Sequence, residues 1–358
     1  MNIKLNDLQA QWEEVKDKAL PEIHSYLDSG NYVDSIFVKR FEDSWSDYTN
    51  LKNSLMVSNG TEAYKVCLQT FEYDPSNTCV LLQNNTWASI LFITKQLGFH
   101  YDFIDCDKYL QYSVEELKNW LKENRSHFNN VILVPTHILG HPCDMANIYC
   151  IALENKCNVI EDCSQAHGAE HTNGKVGQFS DIAFWSMYPA KNLGGVSESG
   201  VISTDDDEYA RTIKYVINSG MSSKYVFATE GGNSRPDAIS SIVLYHKLKH
   251  LDSWNRRRCE IAEIYQQHFP MNYADYCAKH VYHYYYIFVK NRSEIIKNIC
   301  FPYNINYPFT LASLEKQNTE YFINSSKASK EILCLPCHPY MTNEEVEYVI
   351  QDLKEVMK

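Results

Sequence analysis

From Ser54 to Asp162 the chain repeats one pattern: a short apolar run, a turn, then a longer stretch with apolar positions at helical spacing. LMVSNG precedes a helix from Thr61, CVLLQ a helix near Thr86, YDFIDCD a helix from Ser113 and VILVP a helix near Met145, and NVIED closes the series. Apolar runs that alternate with helices suit strands buried on both faces, so the pattern predicts an α/β fold with a mostly parallel central sheet flanked by helices. Further strands are expected near Ile182–Ser186 and Gly200–Ser203. Upstream, Leu8, Trp12, Val15, Leu20 and Ile23 predict a helix from Asp7 to Leu27, stopped by Asp28-Ser29-Gly30. A long helix from Pro236 to about His268 is expected to lead into a smaller C-terminal α+β domain, with an aromatic strand at 281–289, a helix near Ser293–Asn298 and a last helix from Thr342. The large domain is therefore placed at 1–248, and the linker helix with the small domain at 249–358.

Bulk properties narrow the function. With 358 residues, 44% hydrophobic and 22% charged, the chain has the balance of an ordinary globular enzyme. A formal net charge of −12 argues against binding nucleic acid, whose phosphates attract clustered Lys and Arg. Arg256-Arg257-Arg258 lies in the expected linker helix and is read as a solvated or interface-paired face. No run approaches the ~20 apolar residues of a membrane span, and the N-terminus lacks the apolar core of a signal peptide, so a cytoplasmic protein is expected. The twelve cysteines fit a reducing compartment. Cys334 and Cys337 have CxxC spacing but no second pair, so buried thiols are expected rather than a metal site. Cys143, Cys150 and Cys157 recur every seven positions and read as one packed helix face.

The candidate chemistry lies between Val159 and Gly200. Asp162 ends an apolar run, Ser186 ends another, and ligands in such sheets gather at the carboxyl ends of strands. Lys191 follows in AFWSMYPAKNLGG, a setting that would desolvate its amine and lower its pKa. A lysine can form a Schiff base with the aldehyde of pyridoxal phosphate, and a buried carboxylate can keep the pyridine nitrogen protonated. Each residue also has an ordinary alternative: Asp162 as a turn cap, Lys191 as a surface lysine, Thr61 as a helix cap and Trp87 as core filling.

SNGTEA (58–63), IEDCSQAHGA (160–169), SMYPAKNLG (186–194) and GGNSRPDA (231–238) resemble, in order, signature blocks of the DegT/DnrJ/EryC1/StrS family of sugar aminotransferases. LDSGNY (27–32), VKRFE (38–42) and LPCHP (335–339) extend the likeness over nearly the whole chain. The resemblance implies an aspartate-aminotransferase-like, fold type I enzyme using pyridoxal 5'-phosphate, with pyridoxamine phosphate during its cycle. It implies Lys191 as anchor and proton carrier and Asp162 as partner of the ring nitrogen. Gly60, Thr61 and Ser186 would take the cofactor phosphate, Trp87 would stack on the ring, and Gln165 would bond the ring hydroxyl or its acid partner. Asn233 would enter a neighbouring subunit's site, making a homodimer, while Tyr188 and Tyr307 would face the substrate. Lysine at 191 favours transamination over the histidine-bearing dehydratase relatives.

The implied reaction moves an amino group from L-glutamate to a nucleotide-linked 4-keto-6-deoxyhexose, giving a viosamine- or perosamine-type sugar. Amination of a 3-keto sugar and a non-catalytic sugar-sensing regulator are the alternatives. Two departures bear on the substrate pocket. Ser197-Glu198-Ser199-Gly200 replaces a glycine-rich GDGG, and Asn306-Tyr307-Pro308 replaces His-Tyr-Pro.

Overall fold

The computed structural model describes residues 3–33 and 36–358. Seven strands form the central sheet: β1 (Asn53–Val57), β2 (Thr78–Gln83), β3 (His100–Ile104), β4 (Asn130–Val134), β5 (Asn158–Asp162), β6 (Ile182–Ser186) and β7 (Gly200–Thr204). Their order is β1-β7-β6-β5-β4-β2-β3. The pairs from β2 to β6 are parallel, and β7 runs antiparallel to both β6 and β1. The loop from β6 to β7 contains no crossover helix, so the chain can only return antiparallel.

Helices α1 (Leu8–Ser29), α2 (Ile36–Thr49), α3 (Gly60–Thr70), α4 (Ala88–Gln96), α5 (Val114–Asn124), α6 (Met145–Glu154) and α7 (Asp207–Val216) flank the sheet. Their starts follow local chemistry: the side chains of Asp7, Asn59, Ser113, Asp144 and Asp206 each accept from a backbone N–H of the first turn. Gly30 ends α1 at φ 63°, the left-handed conformation that costs a glycine least. Alternate residues of each strand serve opposite layers. Val80, Leu82, Ile160, Ile182 and Phe184 pack with α3, α4 and α7, while Cys79, Leu81, Val131 and Val159 pack with α5 and α6. Ala183, Trp185 and Val201 meet Phe41 and Trp45 of α2.

The linker expected as one helix is two, α8 (Ala238–Leu248) and α9 (Leu251–Gln266), separated at Lys249 and His250. No proline or glycine marks the break. The two halves serve different neighbours: α8 packs on α1 and α2, and α9 on the final helix Asn343–Val356. Arg258 departs from the solvated reading of the arginine run. It is buried and donates to the carbonyls of Tyr282, His283 and Cys337, while Arg256 is exposed. Of the three evenly spaced cysteines, Cys143 and Cys157 lie outside α6 and are buried, but Cys150, the one inside it, is exposed, because the buried face is formed by Met145, Ile148, Ile151 and Ala152. Cys334 and Cys337 are buried free thiols.

A further core joins α9, the strands Tyr285–Phe288 and Ile332–Leu335, and the final helix. This region is tied to the carboxyl end of the sheet through two side chains. Asn84 accepts from Ala312 N at 2.8 Å, and Asp105 accepts from Ser325 N at 3.0 Å. These bonds draw residues 307–325 towards the strand ends from which the candidate chemistry projects. Among the described residues no helix is long and apolar enough to cross a membrane.

Candidate active site

Asp162 ends β5 and continues the parity of Ile160, so its carboxylate lies on the α3 side of the sheet. It is 4% exposed. One oxygen accepts from Ser164 N at 3.0 Å, as a turn cap would, and the other meets only Thr136 Oγ1 at 3.5 Å. Among the described residues no cation forms an ion pair with it. Burial raises its pKa, opposed by the Ser164 hydrogen bonds and by the charge of Lys191. A buried carboxylate without a cation is costly unless something positive meets it.

Glu161 faces the opposite layer. Its Oε1 lies 2.8 Å from His137 Nε2 and 2.6 Å from Gly177 N. Because His137 Nδ1 accepts from Cys143 N at 2.8 Å, the imidazole proton sits on Nε2 and is donated to Glu161. Atoms of His137, Glu161 and Cys163 fall within 4.8 Å of one another, but the first two are already engaged in this buried pair.

Lys191 sits in the loop leaving β6. Its own N–H bonds Tyr188 O at 2.9 Å, and Gly195 N bonds Met187 O at 2.8 Å, closing a tight turn. A Cβ on Gly194 would lie 2.3 Å from Pro189 O, so only glycine fits there. The Lys191 side chain is partly exposed, yet burial lowers its amine to about 8, while Asp162 and Glu198 pull it back upward. A fraction of such an amine is unprotonated near neutrality and able to act as a nucleophile.

At the start of α3, Asn59 Oδ1 accepts from Glu62 N at 2.8 Å. The N–H groups of Gly60 and Thr61 keep no acceptor among the described residues. A Cβ on Gly60 would lie 2.7 Å from Ser186 Cβ, so the glycine lets the helix start close against the end of β6. Thr61 Oγ1 bonds Ser89 Oγ at 3.2 Å, and Ser186 Oγ accepts from Tyr188 N at 3.4 Å. Two free N–H groups, a helix dipole and two hydroxyls suit an anionic phosphate.

Trp87 is 53% exposed and therefore does not fill the core. Its ring leans on Tyr307 and Phe309 at 5.7 Å and 6.3 Å between centroids, leaving a flat aromatic surface open. Gln165 donates to Tyr307 Oη at 2.8 Å and accepts from Leu139 N at 2.6 Å, so its amide is committed to these two partners rather than to Asp162. Tyr188 is exposed. These contacts link Gly60, Ser186, Tyr188 and Lys191 in one series, and Trp87, Tyr307 and Gln165 in another. Asn233 stands apart from both: it is exposed and bridges Asn218. Thr136 and His137, just past the apolar run VILVP, escaped the sequence reading. Their position at a strand end was the available signal.

The residues fit pyridoxal phosphate on two observations: Asp162, buried with no ion pair among the described residues, and the helix start left open beside Ser186. Comparison with known proteins agrees. The model of the DegT/DnrJ/EryC1/StrS aminotransferase family matches residues 13–354. A pleiotropic regulatory protein of Geobacillus stearothermophilus is 27% identical, covering 99% of this chain and 98% of its own. A dTDP-3-amino-3,6-dideoxy-alpha-D-galactopyranose transaminase of Aneurinibacillus thermoaerophilus is 30% identical over 91% of each chain. The crystal structure of an aminotransferase of the same family from Brucella abortus superposes with a TM-score of 0.91 at 25% identity, covering 99% of this chain and 100% of that one.

The isolated carboxylate makes a stability prediction for the cofactor-free protein. An acid whose folded pKa lies above its ordinary 3.8 costs the fold nothing below that value, and costs it progressively more as pH rises through the folded pKa. Asp162→Asn should therefore unfold at higher urea concentration than wild type near neutrality, with the gap closing in acid. Urea titrations across pH check this, and a wild type more stable than the variant at neutral pH contradicts it.

Proposed function

We propose that this chain, which belongs to the DegT/DnrJ/EryC1/StrS aminotransferase family, transfers the amino group of L-glutamate to the keto carbon of a nucleotide-linked deoxyhexose. It is a pyridoxal-phosphate-dependent sugar aminotransferase; the cofactor, when bound, supplies the electron sink that lets a carbon next to nitrogen lose a proton. The observation that carries the site assignment is Asp162, a buried carboxylate that forms no ion pair among the described residues. Such a carboxylate holds a proton on a pyridine nitrogen. Lys191 would anchor the aldehyde and would move a proton to and from carbon, roles that suit an amine near pKa 8. Gly60, Thr61 and Ser186 would hold the phosphate, and Trp87 would stack on the ring. Gln165 acts on the same side by fixing Tyr307, which with Tyr188 faces the sugar.

Of the two sugar positions raised by the sequence, we place the amine at C3. The Aneurinibacillus relative carries that position in its name, and no residue of this site argues for C4. Offering glutamate with either a dehydratase-derived 4-keto sugar or its 3-keto isomer should give product from the 3-keto sugar. Turnover of the 4-keto sugar alone would move the amine to C4. A protein that binds cofactor yet aminates neither would favour the regulatory reading, for which the Geobacillus relative's name is the supporting observation.

Assembly is part of the proposal. Asn233 lies beside an exposed hairpin whose Tyr225, Val226 and Phe227 are 78%, 54% and 65% exposed, an apolar tip suited to a second copy of the chain. Asn233 then reaches the partner's phosphate site. Mixing inactive Lys191→Ala and Asn233→Ala chains should restore part of the activity through heterodimers with one intact site. No recovery, with subunit exchange verified, would rule out shared sites.

A further inference from the structure

The loop that bears Lys191 is held from outside by side chains that touch no part of the candidate site. Lys247, on α8, is 3% exposed. Its Nζ donates to Gly194 O at 2.8 Å and to Gln11 Oε1 of α1 at 3.2 Å. Among the described residues no carboxylate pairs with it, so a lysine has been buried against two neutral acceptors. On the other side of Lys191, Asn6 Nδ2 donates to Ala190 O at 3.1 Å. Between these points Asn192 is fixed by Val281 O at 2.8 Å and Asn255 Oδ1 at 3.0 Å.

We propose that Lys247 and Asn6 are positioning residues for Lys191, a two-point clamp that grips the carbonyls of Gly194 and Ala190 and fixes where the reacting amine sits. The inference rests on Lys191 being that amine. Gly194 is already pressed against Pro189 O, so its carbonyl direction is coupled to the turn that carries Lys191. A donor on that carbonyl therefore governs the turn as a whole. A leucine or methionine at 247 would fill the same volume without the penalty of burying an amine. A lysine at this place is explained by the two hydrogen bonds it donates to neutral acceptors. Burial lowers its pKa to about 8, so the charge burdens the fold below that value and the burden fades as pH rises towards the ordinary 10.5.

The clamp predicts a separation of stability from catalysis. Lys247→Met should melt no lower than wild type at neutral pH, because it removes an unpaired buried cation. Its kcat should fall about ten- to a hundredfold, with the KM for the sugar changed much less. The cofactor-free Lys247→Met protein should also bond added pyridoxal phosphate more slowly, followed by visible absorbance. Lys247→Gln, which keeps a neutral donor, should recover most of both rates. Asn6→Ala tests the second grip and should show the same signature in milder form, so the clamp stays testable even if the methionine variant fails to fold. Wild-type rates in both Lys247→Met and Asn6→Ala would overturn the clamp, as would equal losses in the methionine and glutamine variants at unchanged melting temperature. Lys191→Ala, run alongside, separates the two claims: if it bonds the cofactor as wild type does, the failure belongs to the choice of Lys191 and not to the clamp.

Discussion

A buried carboxylate that forms no ion pair among the described residues is the constraint on which the rest of this structure turns. The carboxylate of Asp162 accepts from Ser164 N and meets little else, and burial pushes its pKa upward. The neighbouring acid, Glu161, shows the contrast. Its oxygens take the His137 proton and the Gly177 N–H, as buried carboxylates ordinarily do. Two adjacent acids on one strand thus have opposite fates because successive side chains point to opposite layers. One is paired within the scaffold, and the other is the group proposed to meet the cofactor.

The sheet converts this local difference into a site. Parallel strands end on the same edge, so β5 and β6 deliver Asp162 and Ser186 together, and the close approach of Gly60 brings the start of α3 against Ser186. The return to β7 places Lys191 above that edge without a crossover helix. Bonds from Asn84 and Asp105 then bring residues 307–325 over the same edge, completing the enclosure with Tyr307. Each part depends on the others: a one-residue slip in β5 would send Asp162 into the layer occupied by Glu161.

Much of this was legible from sequence because the decisive features are local. Asp162 and Ser186 stand at the ends of apolar runs, Asn59-Gly60-Thr61 stands between an apolar run and a helix, and Lys191 lies among small and aromatic residues; that the cap is Asn59 and not Thr61 came from the structure. Whatever depends on register between distant segments was not legible. Gln165 carries the expected amide, but its partners Leu139 and Tyr307 follow from packing, and neither is Asp162. Thr136 meets Asp162 only because β4 and β5 pair in one register. The break between α8 and α9 has no local marker, and Arg258 looks like its exposed neighbour Arg256 until the carbonyls that receive it are seen. Asn233 is the limiting case, since its proposed partner lies on another chain.

The central claim is that Lys191 and Asp162 together hold pyridoxal phosphate for amino transfer. It is tested most directly by the visible spectrum of the purified protein with added pyridoxal phosphate, recorded before and after glutamate, beside Lys191→Ala. The account predicts a yellow protein that bleaches on adding glutamate with release of 2-oxoglutarate, and a variant in which the yellow species does not form normally. Identical spectra for wild type and variant would contradict it at its centre.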